Sequence, residues 1–158
     1  MEIHALKLVV SEEGINTLLG AYVPEDASVE NLRVRISPEG LHVLGDYPTV
    51  FGKVPFETHW DLRIVSGRVH ARLLTLKVSG MPGNLFRTMV LDLIQDALER
   101  EAGIVLEDET LLIDVDTVAR SKNLLLRCNL RDLRCEAGQL LLQAGRKGEG
   151  LSDNVVIG

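Results

Sequence analysis

The chain has 158 residues, 46% hydrophobic but only 4% aromatic, and its 17 basic and 23 acidic side chains leave a formal charge of -6. That balance excludes a general phosphate-backbone binder, which needs a net positive field, and so few aromatics exclude a base-stacking platform; nucleic acid is not an expected partner. The length suffices for one domain with its own core, expected over residues 1–145, without a disulfide or metal to hold it.

Ile3 to Val10 reads as a strand, and Ser11 follows as an N-cap with Glu12 and Glu13 in the first turn of a short helix. Ile15, Leu18, Leu19 and Tyr22 share one face of that helix, which Pro24 closes. A first hairpin alternates Leu32, Val34 and Ile36 with Asn31, Arg33 and Arg35, then turns at Ser37-Pro38-Glu39-Gly40 into Leu41-His42-Val43. A second alternates Phe56, Thr58, Trp60, Leu62 and Ile64 with Glu57, His59, Asp61 and Arg63, and turns at Ser66-Gly67 into Val69, Ala71 and Leu73.

Pro82 to Gly103 then reads as one long amphipathic helix, with Leu85, Phe86, Met89, Val90, Leu93, Ile94, Ala97 and Leu98 forming a wide apolar stripe. Such a stripe is stable only when docked, because ordering the helix costs about as much as its burial gains. A strand over Leu111 to Val115 and a short helix capped by Asp116-Thr117 come next, and Asn123 to Leu130 resumes the sheet. A third hairpin runs from Leu130 to Leu142 through Glu136-Ala137-Gly138-Gln139. Residues 146–158 read as a C-terminal loop or tail, with Val155, Val156 and Ile157 either frayed or a short edge strand. Strands in runs with helices inserted at two points predict an α+β fold: a long curved antiparallel sheet around one long amphipathic helix, with a short N-terminal helix.

Motifs for chemistry are not found. His4, His42, His59 and His70 are scattered, and the last three fall on the polar faces of their strands, where solvated positions are expected. Cys128 and Cys135 match no zinc or redox spacing and read as free thiols. Asp108, Glu109, Asp114 and Asp116 lack the loop of a calcium site. The serines include no nucleophile elbow, and the glycines form neither a P-loop nor a dinucleotide fingerprint. The expectation is therefore no enzyme, no catalytic or metal-binding residues and no cofactor. Arg33, Arg35, Arg63, Arg68 and Arg72 lie opposite the apolar strand positions, on a face expected to be solvated, with an anionic membrane surface as the other candidate.

The segments from Val9 to Leu19, Val34 to Leu41, Gly52 to Phe56, Ser66 to Val69, Leu76 to Pro82 and Leu112 to Asp116, taken in order, resemble the tubular lipid-binding (TULIP) superfamily, in its short bacterial LmeA-like type. The resemblance spans Met1 to Ala144 and is one of element order. It implies a bent antiparallel sheet wrapped around the helix, with an apolar groove for acyl chains, and a homodimer where two units must complete a conduit. Family members are exported or membrane-tethered. The N-terminus lacks the pattern of a signal peptide and no segment approaches a membrane span, so the chain as written is expected in the cytoplasm, and at a membrane or envelope if it is part of a longer protein.

The expected function is non-catalytic binding of a lipid or other apolar small molecule between sheet and helix, lined by Trp60, Leu85, Phe86, Met89, Val90 and Leu93. The alternative is a closed domain for protein interaction or self-association through an unpaired apolar edge strand, for which Leu140 to Leu142 is the candidate.

Overall fold

A computed structural model of the chain describes residues 2–3, 5–22, 29–79, 83–99, 101–121, 123, 127–145 and 154–157, with the side chains of 2–3, 5–6, 18, 21–22, 83–85, 89, 93, 97, 127–128 and 154–157 outside that description. The fold is mostly β. In chain order the elements are β1 (Glu2–Ile3), β2 (Ala5–Ser11), α1 (Glu12–Tyr22), β3 (Glu30–Ser37), β4 (Gly40–Thr49), β5 (Gly52–Val65), β6 (Arg68–Val78) and α2 (Gly83–Leu98). They continue as β7 (Ile104–Glu107), β8 (Thr110–Ile113), α3 (Val115–Ser121), β9 (Arg127–Cys128), β10 (Leu130–Glu136), β11 (Gln139–Gly145) and β12 (Asn154–Ile157).

The strands divide between two principal sheets, where a single long sheet is expected from the sequence. One is an antiparallel sheet of six strands in the order β3-β4-β5-β6-β8-β7. The other has the order β10-β11-β2-β12, antiparallel except where β12 joins β2 in parallel; β1 and β9 form a separate parallel pair. The division follows from the return of the chain: β11 pairs with the distant β2, which withdraws the third hairpin from the meander built by the first two. The expected edge strand is corrected for the same reason, since Leu140 to Leu142 pair with Cys135 to Leu133 on one side and with Val10 to Leu8 on the other.

Alternation along the strands gives the large sheet one apolar face. Val34, Ile36, Trp60, Val69, Ala71 and Leu73 are all buried there. Between His59 and Trp60 the β5–β6 register slips by one, so that Trp60 faces Leu73 while His59 faces Thr75. Leu74 is the extra residue of this bulge, which turns it outward and bends the sheet. Two clusters cover the apolar face. Near β6 and β8, Val69 packs with Leu130 and Ala144 of the second sheet, joined by Ile64, Ile113, Val115, Leu133 and Leu142. Further along, Trp60, Ala71 and Leu73 pack with Leu41, Val43, Leu62 and Leu111, and α2 adds Leu91 and Ile94.

The edge strand β3 is sealed by side chains of α1. The Val34 amide donates to Asn16 Oδ1 at 2.6 Å, the Asn16 amide group returns a bond to the Val34 carbonyl at 2.9 Å, and the Ile36 amide donates to Glu12 Oε2 at 2.9 Å. The Ile36 carbonyl accepts from the Gly138 amide in the β10–β11 turn, also at 2.9 Å. A strand whose free groups are already taken does not template another chain. Ser11 caps α1 as expected, accepting the Gly14 amide at 2.9 Å. In α3 the cap is Asp114, whose Oδ1 accepts the Thr117 amide at 3.2 Å, and the expected Asp116-Thr117 cap is displaced by two residues. At Ser66-Gly67 both residues have positive φ, 51° and 76°, the geometry of a tight primed hairpin turn.

The helix expected from Pro82 to Gly103 spans only Gly83 to Leu98 and so is not the long helix of that reading. Beyond its end the Glu101 amide donates to the Leu98 carbonyl at 3.0 Å, the Gly103 carbonyl, at a residue with φ 89°, accepts the Asp114 amide at 2.7 Å, and β7 follows, an element absent from the sequence reading. Residues 155–157, for which fraying was the alternative, belong to the edge strand β12. Among the described residues no helix is long and apolar enough to cross a membrane.

Candidate functional site

The site begins with the floor beneath α2. Trp60 is 5% exposed, and its indole N–H donates to Thr58 Oγ1 at 2.8 Å, while the Thr58 hydroxyl donates to the Val43 carbonyl at 3.2 Å. Thr58 is thus the polar group that allows an indole to lie flat in an otherwise apolar floor. Toward the start of α2, Phe86 is 2% exposed, edge-on to Tyr47 with ring centroids 5.8 Å apart and tilted against Phe56 at 6.3 Å. Gly45 makes room for this group. It sits directly across from Phe56, and a Cβ at Gly45 would lie 2.8 Å from the Phe56 ring tip and 3.0 Å from Val29 Cγ1.

Of the six expected lining residues, the side chains of Trp60, Phe86 and Val90 are among those described. Trp60 belongs to the floor, Phe86 to the aromatic end, and Val90 is half-buried on α2, four residues after Phe86. The side chains of Leu85, Met89 and Leu93 lie outside the described residues. Among the described side chains of α2, Leu91 and Ile94 pack against the group formed by Trp60, Ala71 and Leu73; Ile94 belongs to the expected stripe and Leu91 does not.

Arg87 tethers α2 to the sheet. Its Nε and one terminal nitrogen donate to the two carboxylate oxygens of Glu109, each at 2.6 Å, and the same terminal nitrogen reaches the Leu73 carbonyl at 3.1 Å. This fork ties α2 both to the β7–β8 turn and to β6. The hydrogen bond from Arg87 holds the Glu109 carboxyl below its usual range, and the same bond raises Arg87. A charged residue on the buried side of an amphipathic helix is concealed in a hydropathy pattern, and its partner is 22 residues away.

Beside this seam lies a cleft of about 300 Å³, lined by Thr88, Leu91, Asp92, Gln95, Leu106 and Asp108. Its volume is at the lower end of small-molecule sites. Leu91 both lines the cleft and packs against the group around Trp60.

A second, polar constellation occupies the opposite face. His42 and His59 stack at 4.5 Å with their rings 8° from parallel, rather than standing apart in solvent as expected. The Ser37 hydroxyl donates to Glu39 Oε2 at 3.1 Å and also lies 3.0 Å from His42 Nε2. His42 Nδ1 is buried without a hydrogen bond, 3.4 Å from Glu57 Oε1, whose carboxylate also receives Arg35 at 2.9 Å. Burial is the chief reason the His42 pKa falls below 6.5, aided by His59 and Arg35 and opposed by Glu57 and Glu39.

The remaining candidates disperse. Glu109 is taken by Arg87, Asp114 caps α3, and no group of three or more metal-ligating side chains occurs among the described residues. Cys135 is a free, half-buried thiol whose pKa is pushed up by burial and by Asp61. Of the outward arginines, Arg35 pairs with Glu57 and Arg63 with Asp61 at 2.7 Å, which reduces the positive face inferred from the sequence. No family model matches the chain, and comparison with curated proteins and with solved structures finds no match.

Proposed function

We propose that the protein binds a lipid or similar apolar molecule, without transforming it, in the seam between α2 and the six-stranded sheet, as a TULIP-like domain whose bent sheet holds its ligand under a helix. The observation that carries this reading is the double position of Leu91, exposed to the cleft on one side and packed toward Trp60, Ala71 and Leu73 on the other. Rotation of one leucine would extend the cleft onto an apolar floor. The fork from Arg87 to Glu109 and Leu73 supports it as well, since a polar tether keeps a helix in place while its apolar contacts are exchanged for those of a ligand. The polar rim of Thr88, Asp92, Gln95 and Asp108 suits an amphiphile whose head remains at the opening.

Native mass spectrometry of protein purified from cells, followed by organic extraction, tests this. The expected result is an acyl-bearing species near one per chain, lost in Leu91→Trp, where the larger side chain fills the passage. Ligand-free protein that takes up no fatty acid or neutral amphiphile would overturn the proposal.

A further inference from the structure

Val50 and Phe51 form the tip of the β4–β5 hairpin and are 94% and 97% exposed; among the described residues the next most exposed large apolar side chain is Val105, at 56%. Two adjacent apolar side chains held wholly in water at a turn need a reason, because turns ordinarily select small or polar residues. The Thr49 side chain bonds the turn from within: its hydroxyl donates to the Gly52 carbonyl at 2.7 Å and accepts the Phe51 amide at 3.2 Å. The tip therefore presents apolar side chains while the Phe51 amide is internally bonded, which lowers the cost of moving it out of water.

We infer that this tip is a membrane-docking wedge that inserts Val50 and Phe51 into the interface of a zwitterionic bilayer. A convex two-residue tip is too small for a stable protein interface, which buries about 1,200 Å² or more in total and needs a shaped complement, whereas a bilayer needs none. The charges flanking the tip are of mixed sign and self-paired. Lys53 is bound to Glu30 at 2.7 Å, and Asp46 accepts a bond from Asn31 at 2.7 Å, so no cation is offered to an anionic headgroup there. With a formal charge of -6, attraction to an anionic surface is not the driving force. Tyr47, on the same hairpin, touches Phe86, which places the tip a few residue pairs from the aromatic end of the seam. The docking inference does not depend on what the seam holds.

The test uses the full chain and phosphatidylcholine vesicles. Wild-type protein should float with them, insensitive to salt, and Phe51→Ser should lower the bound fraction at least about tenfold with its urea midpoint unchanged. In a Trp60→Phe background, Phe51→Trp should give an emission that shifts to the blue and is quenched by brominated phosphatidylcholine. Absence of flotation and quenching would overturn the inference. So would binding confined to anionic vesicles and abolished by salt, or a dimer in light scattering that Phe51→Ser dissolves, which would make a second copy the occupant of the tip.

Discussion

Replacing Thr58 by Val changes almost no volume but removes the only hydroxyl that the Trp60 indole meets in the floor. The indole N–H is then left without a partner inside a buried cluster, and the Val43 carbonyl loses one donor. An unsatisfied buried donor costs about 1–3 kcal/mol. With a urea dependence of about 1–3 kcal/mol per molar, a loss near 2 kcal/mol moves the unfolding midpoint down by about 1 M. Trp60 is the only tryptophan, so its fluorescence reports unfolding at the site itself. Thr58→Ser keeps the hydroxyl and should lose only about 0.8 kcal/mol for its missing methyl. In a Trp60→Phe background, followed by circular dichroism, Thr58→Val should cost much less, because the donor it orphans is gone. A Thr58→Val protein within about 0.5 kcal/mol of wild type, the range of inert surface changes, would refute the assignment of this hydroxyl as the support of Trp60.

Gly45→Ala should lower stability by about 1–3 kcal/mol in thermal unfolding, since its Cβ forces the Phe56 ring aside, and Phe56→Leu in the same chain should recover part of the loss. Arg87→Met should speed amide exchange along α2 while leaving β4 and β5 protected; a uniform increase across the chain would show that the fork does not act locally. His42 has a folded-state pKa below 6.5, so the unfolded chain takes up its proton first as pH falls: stability declines from about pH 6.5 down to the folded-state value and then levels. His42→Gln should flatten that part of the stability profile, and an unchanged slope would contradict the burial argument.

The hairpins were legible because a two-residue period and turn chemistry act over a few neighbours, as at Ser37 to Gly40 and Ser66-Gly67. The Ser11 cap was legible for the same reason. Sheet membership was not, because the partner of Leu140 to Leu142 is β2, at the other end of the chain, and apolar alternation specifies a buried face without naming what covers it. Strand β7 was hidden by its length of four residues directly after a helix whose apolar spacing runs on toward Gly103. The stacking of His42 on His59 required the β4–β5 register, and the tether of α2 required knowing that Arg87 meets Glu109. Trp60 and Phe86 were recognised as buried aromatics, but their separation into a floor and an aromatic end depends on where α2 crosses the sheet.

The most direct measurement is energy transfer from Trp60 to an added polyene fatty acid or neutral polyene amphiphile, in wild type and in Phe51→Ser so that the hairpin tip does not contribute. Quenching of Trp60 that saturates near one probe per chain, equally in both proteins, is the predicted result. Trp60 emission unchanged in excess probe, with the protein folded, would mean that α2 and the sheet mesh into a solid core and that the seam holds no ligand.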